Sequence, residues 1–144
     1  MFSKSCEYGI LASFYIAQNS NDKKYVGLKE IADATTVPIH FLSKVLQILV
    51  RNKIIISTKG LNGGFKLNKK STEISLLEII KAIDGMDIFD RCILGQKDCS
   101  DEDPCLIHNH YKLIKEEFIS MLTGENLQTL IEHLNIKGKV EAQA

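Results

Sequence analysis

Hydrophobic residues between positions 28 and 51 recur with the period of two short α-helices. The apolar stripe of the first helix comprises Leu28, Ile31 and Ala32, and the Thr-Thr-Val-Pro segment at 35–38 interrupts it. A second helix starts at Pro38, since proline suits the first turn of a helix. Its apolar residues share a face that we expect to be buried: Phe41, Leu42, Val45, Leu46 and Leu49. The pattern predicts a helix-turn-helix, with a plain helical hairpin in a bundle core as the alternative.

A β-hairpin is predicted directly after the second helix. Residues 54–56 are a β-branched run, and residues 65–67 alternate as a returning strand. The connecting sequence KGLNGG, at 59–64, is rich in glycine and free of acidic residues, so its backbone amides could approach phosphates. It lacks the glycine patterns of nucleotide-binding loops. The hairpin is therefore expected to be a wing.

Two further helices are predicted by longer apolar stretches. The first is apolar nearly all round and is expected to be buried beneath the winged domain; its large residues are Tyr8, Ile10, Leu11, Phe14, Tyr15 and Ile16. The second follows the cysteines and has a stripe of Ile107, Tyr111, Ile114, Phe118 and Met121, widened by Leu106, Leu113 and Ile119. So broad an apolar surface needs two partners to cover it, and a core helix of a single chain is the alternative.

These elements predict a mainly α-helical fold with a small β-wing, that is, a winged helix-turn-helix plus a long dimerisation helix. The winged domain is expected over residues 1–84 and a cysteine-rich loop over 85–109. The dimerisation helix, over 104–124, overlaps the end of that loop. Residues 125–144 are expected to form a short closing helix, from 125 to 135, and then a frayed tail from 137.

Charge is distributed unevenly although the chain of 144 residues is neutral overall. Residues 1–70 hold eleven Lys and Arg against four Asp and Glu, a net +7, and residues 71–144 hold seven against fourteen, a net −7. A basic front half and an acidic rear half are typical of a nucleic-acid-binding face attached to a separate regulatory part.

Composition points to an ordinary globular domain in a reducing compartment. The chain is 44% hydrophobic and 25% charged, enough for one core plus an appended element. The apolar run at 8–17 is too short to span a membrane and lacks a cleavage signature. A cytoplasmic location without membrane association is therefore expected.

Thiol chemistry is concentrated in one polar loop. Cys92, Cys99, Cys105 and His108 lie within seventeen residues, with the spacing C-x6-C-x5-C-x2-H. The loop has no core pattern, and buried structural thiols are rare in such a segment. The remaining cysteine, Cys6, falls in the predicted first helix and is better explained by packing.

Four interpretations of this cluster differ in chemistry. Disulfides are disfavoured in a reducing compartment. Zinc accepts three thiolates and one imidazole, but only Cys105 and His108 have the usual short spacing, and the RNA-binding CCCH finger has three residues before its histidine where this chain has two. Redox-sensing thiols would need nearby cations, for which Arg91 and Lys97 are the local candidates. An iron–sulfur cluster takes thiolates and sometimes histidine, and spacing alone does not separate it from zinc.

Four segments together resemble a known family. They are SCEYGILA in the first helix, LKEIADATTVPIHFLSKVLQIL through the helix-turn-helix, KGLNGGFKL in the wing, and the three loop cysteines. Spread over the first three quarters of the chain, they resemble the Rrf-two family of bacterial winged-helix regulators, in its IscR-like and NsrR-like iron–sulfur branches. The wing and the cysteines in register make the resemblance specific.

The resemblance implies a homodimer with an iron–sulfur cluster, of the 2Fe-2S type, on Cys92, Cys99 and Cys105. In the IscR-like branch the fourth ligand falls on His108, whereas in the NsrR-like branch it is a carboxylate that corresponds to Glu7, reaching over from the other subunit. This chain has both residues, so the fourth ligand stays open. The first cysteine spacing, six residues where many relatives have five, departs from the family pattern.

The resemblance also places the recognition helix at residues 38–52 and implies double-stranded DNA as the partner. Four of its residues lie off the apolar stripe and could reach base edges: His40, Ser43, Lys44 and Gln47. Arg51 is expected at phosphate or solvent. In the wing, the expected contacts to the backbone or minor groove are Lys59, Asn62, Gly63 and Gly64. A two-fold dimer predicts a roughly palindromic operator.

The sequence therefore predicts a dimeric DNA-binding transcriptional regulator that senses iron–sulfur status, redox state or nitric oxide through a labile cluster. The alternative is a zinc-binding or thiol-redox nucleic-acid-binding protein without a cluster. An enzyme is not expected, because serine, histidine and carboxylate residues form no nucleophile motif.

Overall fold

A computed structural model describes residues 1–137 of the chain, and part of the predicted tail, residues 138–144, lies outside the described residues. The helices are α1 (Lys4–Asn19), α2 (Leu28–Thr35), α3 (Ile39–Arg51), α4 (Leu76–Asp84), α5 (Asp87–Asp90), α6 (His108–Gly124) and α7 (Leu127–Lys137). Strands β1 (Ile55–Thr58) and β2 (Gly64–Leu67) form one antiparallel hairpin, followed by a 3-10 turn at Ser71–Glu73. The predicted fold class, mainly helical with a small wing, is confirmed.

Helix α1 lies at the centre, in contact with α2, α3, α4 and α7. Its buried face consists mostly of small residues, Cys6, Gly9, Ala12 and Ser13, with Ile16 as the one large member. A Cβ atom on Gly9 would collide with Ile83 of α4 and approach Val45 of α3. Small side chains therefore allow α1 to approach α3 and α4 closely. The sequence predicted that the large residues of α1 would be buried, but apart from Ile16 they are half-buried.

The helix-turn-helix is built on α2 and α3. The Thr35 hydroxyl donates to the Ile31 carbonyl oxygen at 2.6 Å, and Thr36, at φ 59°, turns the chain in the left-handed region. Pro38 is the N-cap of α3, so the helix begins at Ile39, one residue later than predicted. The buried face holds Leu42, Val45, Leu46 and Leu49, as predicted.

One residue of α3 departs from the prediction. Phe41 is 54% exposed, and its ring lies 6.5 Å from that of Tyr8 of α1, centroid to centroid. The position is at the edge of the apolar stripe, where the half-buried Tyr8 covers it in part. Helical periodicity assigned Phe41 to the core, and that prediction is wrong.

The wing follows α3 directly. β1 and β2 pair from Ile55 with Leu67 to Thr58 with Gly64, and the hairpin is attached to the body through Val26, which exchanges two backbone hydrogen bonds with Phe65 at 2.8 and 2.9 Å. Gly64 has φ 143°, and a Cβ there would collide with the Val26 carbonyl oxygen. The wing therefore has a fixed base and an exposed tip.

A second cluster joins the N-terminus, α4, α5 and α6. The rings of Phe2, Phe89 and Phe118 lie 5.9–6.5 Å apart, beside the buried Ile80 and Leu122. Phe89 belongs to α5 and Phe118 to α6, so the cluster fixes the elements on either side of the cysteine loop.

The closing helix α7 returns to the main core. The backbone amide of Leu127 donates to the Ile74 carbonyl oxygen at 3.0 Å, and that of Leu76 donates to Glu125 at 2.9 Å. The Leu127 side chain is fully buried with the residues of α1 and α3. Within the described residues, every helix is too short or too polar to cross a lipid bilayer.

Candidate metal centre and DNA-binding surface

The cysteine loop runs over residues 91–107, between α5 and α6, and is mostly exposed. It brings the Sγ atoms of Cys92, Cys99 and Cys105 within 4.8 Å of one another, and all three thiols are free. Among the described residues, this is the one group of three or more His, Cys, Asp or Glu side chains whose ligand atoms converge so closely. The three cysteines predicted from the sequence therefore meet at one point.

The four candidate ligands form two close pairs. The Sγ atoms of Cys92 and Cys105 are 3.7 Å apart, and Sγ of Cys99 is 3.1 Å from Nδ1 of His108. His108 is the first residue of α6 and lies outside the set of mutually close thiols, next to Cys99.

These distances are compatible with metal ligation. Two thiolates at about 2.3 Å from one tetrahedral metal are about 3.8 Å apart, and a thiolate and an imidazole on one metal are about 3.6 Å apart. The first pair already meets this separation, and the second needs to open by about half an ångström. A cavity of about 40 Å³ is lined by the three thiols and His108, and a wider, open one of about 410 Å³ is lined by Cys92 and Cys99.

Asp101 holds the histidine from the other side. Its Oδ1 lies 2.9 Å from Nε2 of His108, and its Oδ2 accepts a hydrogen bond from Nζ of Lys112 at 2.7 Å. The hydrogen bonds from Lys112 and from His108 lower the pKa of Asp101, and the same carboxylate raises the pKa of Lys112. The sequence did not single out Asp101, one of several acids in the loop.

The loop thiols differ in acidity. Desolvation raises the pKa of Cys92, but hydrogen bonds from the backbone amides of Gln96 and Leu94, with those of the neighbouring thiols, outweigh it, and the pKa is lowered. Arg91 and Lys97, the candidate cations of the redox-sensing interpretation, are not among the causes of this shift in the pKa of Cys92. Backbone amides of the tight turn after Cys92 take that role.

The remaining candidates on α1 lie apart from this cluster. Glu7 is exposed and forms an ion pair with Lys4 at 3.1 Å. Cys6 is fully buried, as predicted for a packing residue. Burial, together with the negative charges of Asp84 and Glu7, raises the pKa of Cys6 to about 12. Within one chain, His108 is thus the fourth-ligand candidate beside the thiols.

The predicted base-reading residues share the exposed face of α3. His40, Lys44, Gln47 and Arg51 recur at intervals of three or four, and all are exposed, while Ser43 is half-buried beside them. Within residues 1–137, the charged members of this face form no salt bridge, so their charges are free for an anionic partner.

The wing tip adds a second basic element. Lys59 and Asn62 are exposed, whereas Gly63 and Gly64 are half-buried. A Cβ on Gly63 would collide with the Thr58 carbonyl oxygen. The two glycines thus have a structural role in the turn, in addition to any contact with a partner.

Helix α6 divides its apolar residues between two sides. Phe118, Ile119 and Leu122 face the body, and Leu122, which the sequence did not identify, is the one fully buried residue of the helix. Leu113, Ile114 and Met121 are largely exposed, as is Leu106 before the helix, and the N-cap residue Ile107 is 37% exposed. The helix therefore contributes to its own core and also presents an uncovered apolar face.

Comparison with known protein families identifies the family to which this chain belongs. Residues 2–133 match the Rrf2 family, described as iron-dependent transcriptional regulators. The chain belongs to the Rrf2 family. The resemblance of the sequence motifs to that family is confirmed, and the protein is a transcriptional regulator. The expectation that it is not an enzyme is confirmed as well, because Rrf2 regulators are non-enzymatic DNA-binding proteins.

Individual relatives agree with this assignment. The HTH-type transcriptional regulator IscR of Photorhabdus laumondii is 27% identical over 135 residues, which cover 92% of this chain and 81% of the relative. Two solved structures share the fold. CymR, the global cysteine regulator of B. subtilis, has a TM-score of 0.76 at 21% identity over 92% of this chain and 97% of its own. IscR of T. potens has a TM-score of 0.76 at 18% identity, over 99% and 93%.

The buried thiol of Cys6 leads to a prediction about reactivity. The thiolate is the reactive form, so at pH 8 a pKa of about 12 rather than the ordinary 9.0 lowers the thiolate fraction about a thousandfold. Iodoacetamide treatment of the metal-free protein should modify the three loop cysteines and spare Cys6, as read by peptide mass mapping. In urea all four should react; comparable native rates would contradict the burial of Cys6.

Proposed function

We propose that this Rrf2 regulator is a homodimer that holds an iron–sulfur cluster of the 2Fe-2S type on Cys92, Cys99, Cys105 and His108, and that cluster occupancy controls its affinity for a roughly palindromic operator. The signal is iron–sulfur status, redox state or nitric oxide. The observation that carries the proposal is the convergence of three thiols with the His108 imidazole beside one of them.

The ligand set suits either a two-iron group or a single zinc ion, because the three thiols lie within 4.8 Å of one another and His108 lies beside Cys99. The match to a family of iron-dependent transcriptional regulators favours an iron–sulfur cluster. Such a group, when bound, would supply redox chemistry and irons that oxygen or nitric oxide can reach.

The loop is suited to respond to occupancy. Of residues 88–108, only Phe89 is fully buried, so ligation would contribute much of the order in this segment. The loop ends at His108, the first residue of α6. A change in how the loop holds His108 therefore acts on the N-terminus of the proposed dimerisation helix, and so on the separation of the two recognition helices.

The exposed face of α6 supports a homodimer. Ile107, Ile114 and Met121 recur every seven residues and are 37%, 65% and 51% exposed. A seven-residue apolar repeat is typical of a helix that packs along a second helix. A second copy of this chain offers the matching stripe. In such a dimer Glu7 of the partner subunit is the alternative to His108 as fourth ligand.

DNA recognition is assigned to the exposed residues of α3 and the wing. His40 and Lys44 are proposed to contact bases, with Ser43 and Gln47 beside them, and Arg51 a phosphate. Lys59 and the tip residues Asn62, Gly63 and Gly64 are proposed to approach the backbone or minor groove. The net +7 of residues 1–70 would then lie against DNA.

The cluster is tested on protein purified without oxygen. We expect visible absorption and about two irons and two sulfides per chain. Cys99→Ala should lose the colour and the signal-dependent change in operator binding, whereas the matched Cys6→Ala variant should keep both, because Cys6 is buried in α1. Colourless protein with stoichiometric zinc would replace the sensor by a zinc-bearing regulator.

The recognition helix is tested by titration with operator DNA. Lys44→Ala should weaken specific binding about five- to 150-fold, as expected for a contact worth about 1–3 kcal/mol. Lys23→Ala removes the same charge from an exposed site between α1 and α2 and should change binding much less. Equal losses for the two variants would contradict the assignment of Lys44.

The dimer is tested by light scattering on size-exclusion chromatography. Ile114→Glu should weaken self-association at least about a hundredfold, because an unpaired carboxylate would be buried in the contact. Thr123→Glu is the control, since position 123 is exposed and lies about half a turn around α6 from Ile114. A monomeric wild-type protein, or equal behaviour of the two variants, would reject this interface.

A further inference from the structure

The Asp101 carboxylate bridges two residues of α6 that are one turn apart. One oxygen lies 2.9 Å from Nε2 of His108, and the other accepts from Nζ of Lys112 at 2.7 Å. Both contacts join the middle of the cysteine loop to the first turns of the helix. Asp101 itself is largely exposed, so these contacts rather than burial determine its position.

The geometry has a direct consequence for the histidine ring. An ionised carboxylate only accepts hydrogen bonds, so Nε2 of His108 must carry the hydrogen. In the neutral ring, Nδ1 is then without a hydrogen, and its lone pair faces Sγ of Cys99 at 3.1 Å. A ligating histidine commonly donates its second ring N–H to a carboxylate, which fixes both tautomer and orientation.

The other acids of the loop have no comparable contact. In the described part of the chain, the carboxylates of Asp98, Glu102 and Asp103 form no hydrogen bond or ion pair, and Asp103 contributes only backbone contacts with Ser100. The interaction is thus specific to Asp101.

We propose that Asp101 is a positioning residue that holds His108 with Nε2–H donated to the loop and Nδ1 presented to the cluster site, and that Lys112 orients Asp101 for this role. The presentation of Nδ1 to the cluster site rests on the proposed function, in which His108 is a ligand. Because both contacts are to α6, the same residue ties the cluster loop to the proposed dimerisation helix.

The first test uses metal-free protein with ¹⁵N-labelled histidine, at a pH above the range in which ordinary histidines titrate. A ring N–H in contact with water exchanges too fast to observe, whereas a hydrogen-bonded one gives a signal. The His108 Nε2–H signal, assigned by its loss in His108→Gln, should be present in wild type. It should persist in Asp101→Asn, which keeps an acceptor, and disappear in Asp101→Ala.

The matched control is Asp103→Ala, which removes the same carboxylate two positions along the loop and should leave the signal unchanged. Lys112→Met should weaken the signal, because Asp101 loses the residue that orients it, while the His108 ring keeps its contact with Asp101. Absence of the signal in wild type, or its full retention in Asp101→Ala, would overturn the proposal.

The second test follows loss of the cluster in air after anaerobic reconstitution. Loss of a carboxylate partner to a ligating histidine typically costs about ten- to a hundredfold in metal affinity. We therefore expect Asp101→Ala to lose absorbance at least about tenfold faster than Asp103→Ala, with Asp101→Asn in between. Equal rates would overturn the link to the cluster. If wild type takes up no cluster, the proposed function fails, while the histidine signal still decides the role of Asp101.

Discussion

Close packing of α1 against α3 and α4 is the constraint on which the rest of the structure depends. Gly9 sits where α1 meets Ile83 of α4 and Val45 of α3, and a Cβ atom there would require the Ile83 side chain to shift. Helices α3 and α4 are therefore held in one block, since a packed core resists gradual deformation. Cys6 lies on the same face of α1 and takes part in the cluster that anchors α5 and α6. Its role is packing, which agrees with its raised pKa.

A rigid block of this kind limits where a signal can act. The cysteine loop has almost no core of its own, and packed side chains fix it at its ends, through Phe89 on one side and α6 on the other. Between these ends, contacts such as that of Asp101 with His108 are solvent-exposed and individually weak. Loss of the proposed cluster would therefore rearrange the loop and the start of α6 and leave the DNA-binding block intact. In the proposed dimer, the response would be a change in the distance between the DNA-binding blocks of the two subunits.

Local patterns allowed much of this molecule to be predicted from its sequence. The helix-turn-helix, the wing and the cysteine spacing each depend on residues close together in the chain, so periodicity and turn chemistry identify them. Phe41 was misassigned because a residue at the edge of a stripe is buried only if another element covers it. The contact of Asp101 with His108 could not be predicted, since four loop acids look alike in sequence and only the fold brings one of them to His108.

The acidic loop gives a physical reason for a neutral fourth ligand. Asp98, Asp101, Glu102 and Asp103 lie within the segment that carries Cys99 and Cys105, and in the proposed cluster the negative charge of three thiolates would already exceed the positive charge of an oxidised 2Fe-2S core. An imidazole in the fourth position adds no charge, whereas a fourth thiolate or a carboxylate such as Glu7 of the partner subunit would add one. Of the four acids, Asp101 alone is compensated, by Lys112 at 2.7 Å. In the proposed cluster, the charge of the loop therefore favours His108 over Glu7 as the fourth ligand. The distance of 3.1 Å between His108 Nδ1 and Cys99 Sγ agrees with this.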